Sequence, residues 1–93
     1  MNMTLSPAAT EAALRDLAPG QALRIAFAGG CGAMGFRLAP AGRAYDDDLR
    51  LELGPVTLLL DRMAARELDG AVLDYDPHEG FVLDHPQWGT ACG

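Results

Sequence analysis

Residues 23–27 read LRIAF, with Leu23, Ile25 and Phe27 on one side of a two-residue period and Arg24 and Ala26 on the other. The period returns at Met34, Phe36 and Leu38, set against Gly35, Arg37 and Ala39, and again at Leu49, Leu51 and Leu53, set against Arg50 and Glu52. Successive side chains of a strand point to opposite faces, so this alternation gathers the apolar members on one buried face. A helix carrying the same pattern would scatter them around its circumference. The first two segments, joined by Gly29–Gly32, read as a hairpin. Its apolar face carries Leu23, Ile25, Phe27, Met34, Phe36 and Leu38, and its polar face Arg24 and Arg37. Pro40 to Asp48 reads as a polar connection. After the third strand Gly54-Pro55 makes a turn, and Val56–Leu60 reads as a buried strand. Two more strands, Ala71–Tyr75 and Phe81–Leu83, flank the turn sequence DPHEG.

Two short helices punctuate these strands. Ser6-Pro7 has the form of an N-cap followed by the first helical position; Ala9, Ala12, Ala13 and Leu17 then fall at helical spacing, and Pro19-Gly20 ends the run. Asp61 can cap a helix over Arg62–Leu68, with Met63, Ala64 and Leu68 on its buried stripe and Gly70 just past its end. The expected fold class is therefore mostly β (α+β), with an N-terminal helix and one short internal helix. Residues 1–93 read as one domain. The tail HPQWGTACG has no periodicity, so residues 86–93 are expected to be a mobile C-terminal tail.

Composition removes several function classes. Apolar residues make up 49% of the chain and charged residues 22%, as in a globular protein. Seven basic against thirteen acidic residues leave a net charge of −6, which repels phosphate backbones and disfavours nucleic acid as a partner. No apolar run approaches the ~20 residues that cross a bilayer, so no membrane span is expected. The N-terminus lacks the basic start of a signal peptide, which points to a cytoplasmic location with reduced thiols. There the two cysteines, Cys31 and Cys92, suggest metal or redox chemistry over a structural disulfide.

Cys31 lies in GGCGAMG, where flanking glycines let backbone N–H groups approach the sulfur and stabilise a thiolate. The plain alternative is a flexible hairpin turn. Cys92, second-last in the chain, can meet Cys31 as a disulfide, a shared metal ligand or a thiol-exchange pair; the plain alternative is an incidental exposed thiol. GGCGAMG is no phosphate cradle: no Lys or Ser/Thr follows, and a strand follows instead of a helix. His78, Glu79 and His85 could join the cysteines around zinc, but their spacing is not that of a zinc site, and they read as solvated loop residues. Asp46–Asp48 reads as a solvated turn, lacking the glycine and distal glutamate of a calcium loop. No Ser/His/Asp set has a recognisable spacing, so nothing points to hydrolysis. Trp88, in the polar tail, either folds back or meets a partner.

The order of these pieces resembles the HesB-like family, the A-type iron–sulfur cluster carrier and scaffold proteins. MTLSPAATEAALRDL is similar to that family's first helix, GGCGAMGFRL to its first cysteine loop, VTLLLDRMAARELDGAVLDYD to its central block, and EGFVLDHPQ to its glycine–phenylalanine strand and following turn. The resemblance runs from about Met3 to Gly93. It implies a compact HesB-like β-sandwich and a non-enzymatic role in iron–sulfur cluster assembly. The cofactor it implies is a [2Fe-2S] or [4Fe-4S] cluster, or iron, passed to apo iron–sulfur proteins in concert with cluster-assembly proteins. Family members use one loop cysteine and a C-terminal Cys-Gly-Cys. Cys31 matches the first, and Cys92-Gly93 matches the start of the second, with the last cysteine lacking from the 93 residues. Clusters commonly take four thiolates, and a homodimer offers four, so Cys31 and Cys92 are expected to hold the cluster between subunits. Glu79 or His85 is the alternative source of a further ligand. Two other functions stay open: a degenerate HesB-like protein-binding module that holds no cluster, and a thiol redox protein using Cys31 and Cys92.

Overall fold

In a computed structural model of the chain, residues 1–29 and 35–86 are described. Strands β2 (Ala22–Phe27), β3 (Phe36–Ala41), β4 (Leu49–Leu53) and β5 (Val56–Leu60) form one sheet in the order β3-β2-β5-β4. The expected hairpin is present: β2 and β3 pair antiparallel, with Ile25 opposite Leu38 and Phe27 opposite Phe36. β4 and β5 form a second hairpin around Gly54-Pro55, with Leu53 opposite Val56. The two hairpins join through parallel pairing of β2 with β5, Leu23 opposite Leu58 and Ile25 opposite Leu60. β5 is thereby a central strand, which accounts for its nearly continuous apolar run VTLLL, interrupted only by the half-buried Thr57.

A second sheet has the order β1-β6-β7, from β1 (Thr4–Leu5), β6 (Val72–Asp76) and β7 (Gly80–Asp84). β1 was not legible in the sequence, because two residues carry no period. It runs parallel to β6, and the Thr4 N–H donates to the Ala71 carbonyl at 3.1 Å. β6 and β7 pair antiparallel, Leu73 opposite Leu83.

Helix α1 (Pro7–Asp16) starts as expected: the Ser6 hydroxyl accepts from the Ala9 N–H at 3.0 Å. Its last helical residue is Asp16, three before Pro19. Helix α2 (Arg62–Glu67) is capped by Asp61, whose Oδ1 accepts from the Ala64 N–H at 2.7 Å. Ala64 and Leu68 are fully buried, as expected of its inner stripe, whereas Met63 is 41% exposed and does not belong to it. Ala65, on the other side of Ala64 from Met63, packs against the core in its place. One core joins both sheets and both helices, through Ala9 and Ala13 of α1, Ile25, Leu58, Leu60, Leu68 just past α2, and Leu73.

The connection from β3 to β4 crosses the molecule. β3 ends at Ala41, opposite Ala22 at the start of β2, on one edge of the sheet. β4 begins at Leu49, opposite Leu60 at the end of β5, on the other edge and at the other end. Residues 42–48 must therefore run diagonally, and since the core fills the inner face they cross the outer one. That course corrects the reading of Asp46–Asp48 as a solvated turn. The Asp48 side chain is only 1% exposed and holds Arg24 of β2 in a bidentate pair, Nη2 to Oδ1 at 2.9 Å and Nε to Oδ2 at 3.1 Å. Asp48 also accepts from the Tyr45 N–H at 2.9 Å, and the Arg24 guanidinium lies 4.6 Å from the Tyr45 ring centre. Asp46 and Asp47 are exposed, as expected.

Candidate functional site

Cys31 and Cys92 both lie outside the described residues, as do Met34 and Trp88. What the fold defines is the framework from which their segments leave. The first segment leaves from the ends of β2 and β3. There the rings of Phe27 and Phe36 meet edge to face at 5.6 Å, and the Ala28 N–H donates to the Gly35 carbonyl at 2.7 Å, one rung beyond the last paired residues. Gly29 then has φ of +91°, a conformation that L side chains rarely adopt, so a glycine is required where the chain turns off the sheet.

Asp61 anchors this rung from the side. One carboxylate oxygen caps α2, and the other accepts from the Phe27 N–H at 3.0 Å. The Asp61 N–H in turn donates to the Ile25 carbonyl at 3.3 Å. The cap was legible in the sequence. The bond to Phe27 was not, because it spans 34 residues and forms only when β5 docks beside β2.

The second segment leaves after β7, at the other end of α2. The His85 Nε2 donates to the Asp69 carbonyl at 2.7 Å, and a side chain at Gly70 would meet that same nitrogen at 3.4 Å. Gly70 also has φ of +90°, as the turn from α2 into β6 requires. His85 is therefore a packed, half-buried residue and not the solvated one expected. Its Nε2 cannot ligate a metal without giving up the Asp69 carbonyl. His78 and Glu79 are exposed in the turn before β7, whereas His85 follows the strand. Five strand residues, roughly 17 Å, separate them. The three cannot converge on one ion, and no group of three or more His, Cys, Asp or Glu stands together among the described residues. Among the described residues, no helix is long and apolar enough to cross a membrane.

Comparison with known proteins places this framework. The family model described as iron–sulphur cluster biosynthesis matches residues 1–88. A Burkholderia vietnamiensis protein named after the iron–sulfur cluster insertion protein ErpA is 35% identical over 99 aligned residues, covering all of this chain and 80% of the relative. Protein Rv2204c of Mycobacterium tuberculosis is 37% identical over 75 residues, 76% of this chain, which spans 64% of the relative's length. Among solved structures, Escherichia coli SufA, described as involved in biosynthesis of iron–sulfur clusters, superposes with a TM-score of 0.68 at 25% identity, over 99% of this chain and 87% of SufA. A structure of IscA with a [2Fe-2S] cluster shares the fold, with a TM-score of 0.59 at 23% identity over 91% of this chain and 83% of that one. The match over residues 1–88 and the identity to the Burkholderia relative agree on one assignment: the chain belongs to the iron–sulphur cluster biosynthesis family, as its resemblance to the HesB-like, A-type carriers implied.

Proposed function

We propose that this protein carries an iron–sulfur cluster, or iron, to apo iron–sulfur proteins, with the cargo held between two copies of the chain by Cys31 and Cys92. The observation that supports this most directly is the family match over residues 1–88, which includes the glycine-flanked Cys31. The cluster is cargo. The chain's contribution is a thiolate pair per copy and a rigid base beneath one of them, and no bond of a substrate need be made or broken by it.

Chain length supports a role for Cys92. The six residues from Pro86 to Cys92 give an upper reach of roughly 20 Å. The two departure points lie at opposite ends of α2, which is on the order of 10 Å long. Cys92 is thus long enough in tether to meet Cys31 of its own chain or of a second copy. Two cysteines per chain supply four thiolates per pair, the number a cluster commonly takes. The acidic balance of the molecule fits protein partners and disfavours nucleic acid.

Anaerobic reconstitution with ferrous iron and sulfide tests the proposal. Wild type is expected to develop sulfur-to-iron absorption bands with one cluster per two chains. Cys31→Ser and Cys92→Ser are each expected to lose them. A colourless wild type, or a Cys31→Ser variant that loads equally well, sinks the carrier reading and leaves the cluster-free binding module.

A further inference from the structure

All seven basic residues are arginines, and four are committed within the fold: Arg15 to Asp16, Arg24 to Asp48, Arg50 to Glu52 and Arg62 to Asp47. Arg37, Arg43 and Arg66 have no carboxylate partner among the described residues. Two of these three, Arg37 and Arg43, line the same cleft. It lies on the outer face of the larger sheet, beside the diagonal connection, with a volume of 610 Å³ and walls that include Arg24, Ala26, Arg37, Ala39, Arg43 and Tyr45.

The strand register lines these arginines up. Residues 37, 39 and 41 of β3 share the outer face, Arg24 lies opposite Ala39, and Arg43 follows two residues after Ala41. Arg37 and Ala41 are roughly 13 Å apart along the strand, so Arg37 and Arg43 mark the two ends of the cleft with Arg24 between them. Small side chains and Pro40 floor the cleft, leaving the guanidinium groups as its polar features. The bidentate Arg24–Asp48 pair and the stacked Tyr45 hold the wall rigid. In a molecule of net charge −6 this is a local reversal of sign. Unpaired arginine forks present planar donors that match carboxylates.

We propose that this cleft docks an extended acidic segment of a partner protein, with carboxylates meeting Arg37 at one end and Arg43 at the other. The spacing of the two ends suits several carboxylates along one extended chain over a single small oxyanion. A long phosphate backbone would have to pass the exposed Asp46 and Asp47 and the rest of an acidic surface, which a short acidic peptide avoids. Because the cleft opens beside the strands that launch the Cys31 segment, such a partner would be held near the proposed cargo. Docking itself needs no cargo.

Titrating hexaglutamate into ¹⁵N-labelled, reduced, metal-free protein and following amide shifts tests this. Shifts are expected to cluster at Ala26, Arg37, Ala39, Ala41–Arg43 and Tyr45, with hexaglutamine producing none. Arg37→Ala and Arg43→Ala should each weaken binding about two- to fivefold, as for surface charge pairs, and the double variant about tenfold. Arg66→Ala, which removes an exposed unpaired arginine on α2, should change nothing. The melting temperature of each variant checks that it folds. Four results overturn the proposal: shifts centred elsewhere, an Arg66→Ala loss as large as the others, inorganic phosphate producing the same shifts at equal charge concentration, or tighter binding of a single-stranded oligonucleotide. Reconstitution can fail while this titration succeeds, and the reverse, so the two proposals fall separately.

Discussion

Asp48 shows how little a residue's neighbours in sequence say about its work. It stands third in a run of three aspartates, and only it turns inward to grip Arg24. Its hydrogen bonds with Arg24, and then with the Tyr45 N–H, hold its carboxyl below the usual carboxylate range, against the opposing effect of burial. A carboxyl lowered in the folded state stabilises the fold above its ordinary value near 4, and that contribution disappears as the pH falls through the folded value. Asp48→Asn is expected to cost about 2 kcal/mol at pH 7 in urea unfolding, because it leaves the Arg24 charge half-buried and unpaired. The gap between variant and wild type should close as the pH drops below about 4. A gap that stays constant into acid would show that shape, not charge, carries the effect. Nothing in DDD could have distinguished the third aspartate from the first two, since the distinction depends on where the diagonal connection meets β2.

Among the elements, the β2–β3 hairpin and the helix caps were legible because their determinants are local. Period-two alternation, Ser6-Pro7 and Asp61 each specify structure within a few residues of themselves. Asp61 does more than cap. It ties α2 to β2 at the rung from which the Cys31 segment departs. Asp61→Ala is expected to lower stability by about 2 kcal/mol in thermal or urea unfolding, a cap and a strand-end bond being lost together. Asp61→Asn should cost less than half of that, since its single carbonyl oxygen can still serve the cap. If the alanine variant unfolds like wild type, Asp61 is not the anchor described. The β1 strand and the packing of His85 against Asp69 and Gly70 escaped the sequence because each is a contact between segments far apart in the chain.

At the scale of the whole molecule, one core serves two sheets and two helices; both helices and strands β2, β5, β6 and β7 supply its buried members, while Leu5 of β1, Phe36 and Leu38 of β3, and Leu51 and Leu53 of β4 are only partly buried against it. Leu60, fully buried at the end of β5 where β2, β4 and α2 meet, is the residue whose truncation should be felt throughout. Leu60→Ala is expected to cost about 3 kcal/mol, a large share of the ~5–15 kcal/mol that holds a domain of this size together. Backbone circular dichroism and amide exchange of both sheets should report one shared transition. Separate transitions for the two sheets would refute a common core.

The sequence by itself determined every strand but β1, the two helices, their caps and the pairing of β2 with β3, because alternation and capping act over a handful of neighbouring residues. It also carried the family, through the order and spacing of those pieces. Tertiary structure alone decided that β2 and β5 run parallel at the centre of one sheet and that residues 42–48 cross its outer face. It decided too that Asp48 is buried on Arg24, and that Arg37 and Arg43 face one cleft. Each of these depends on which distant segments come to lie together, and the free energy that brings them together is that of burying one shared apolar core.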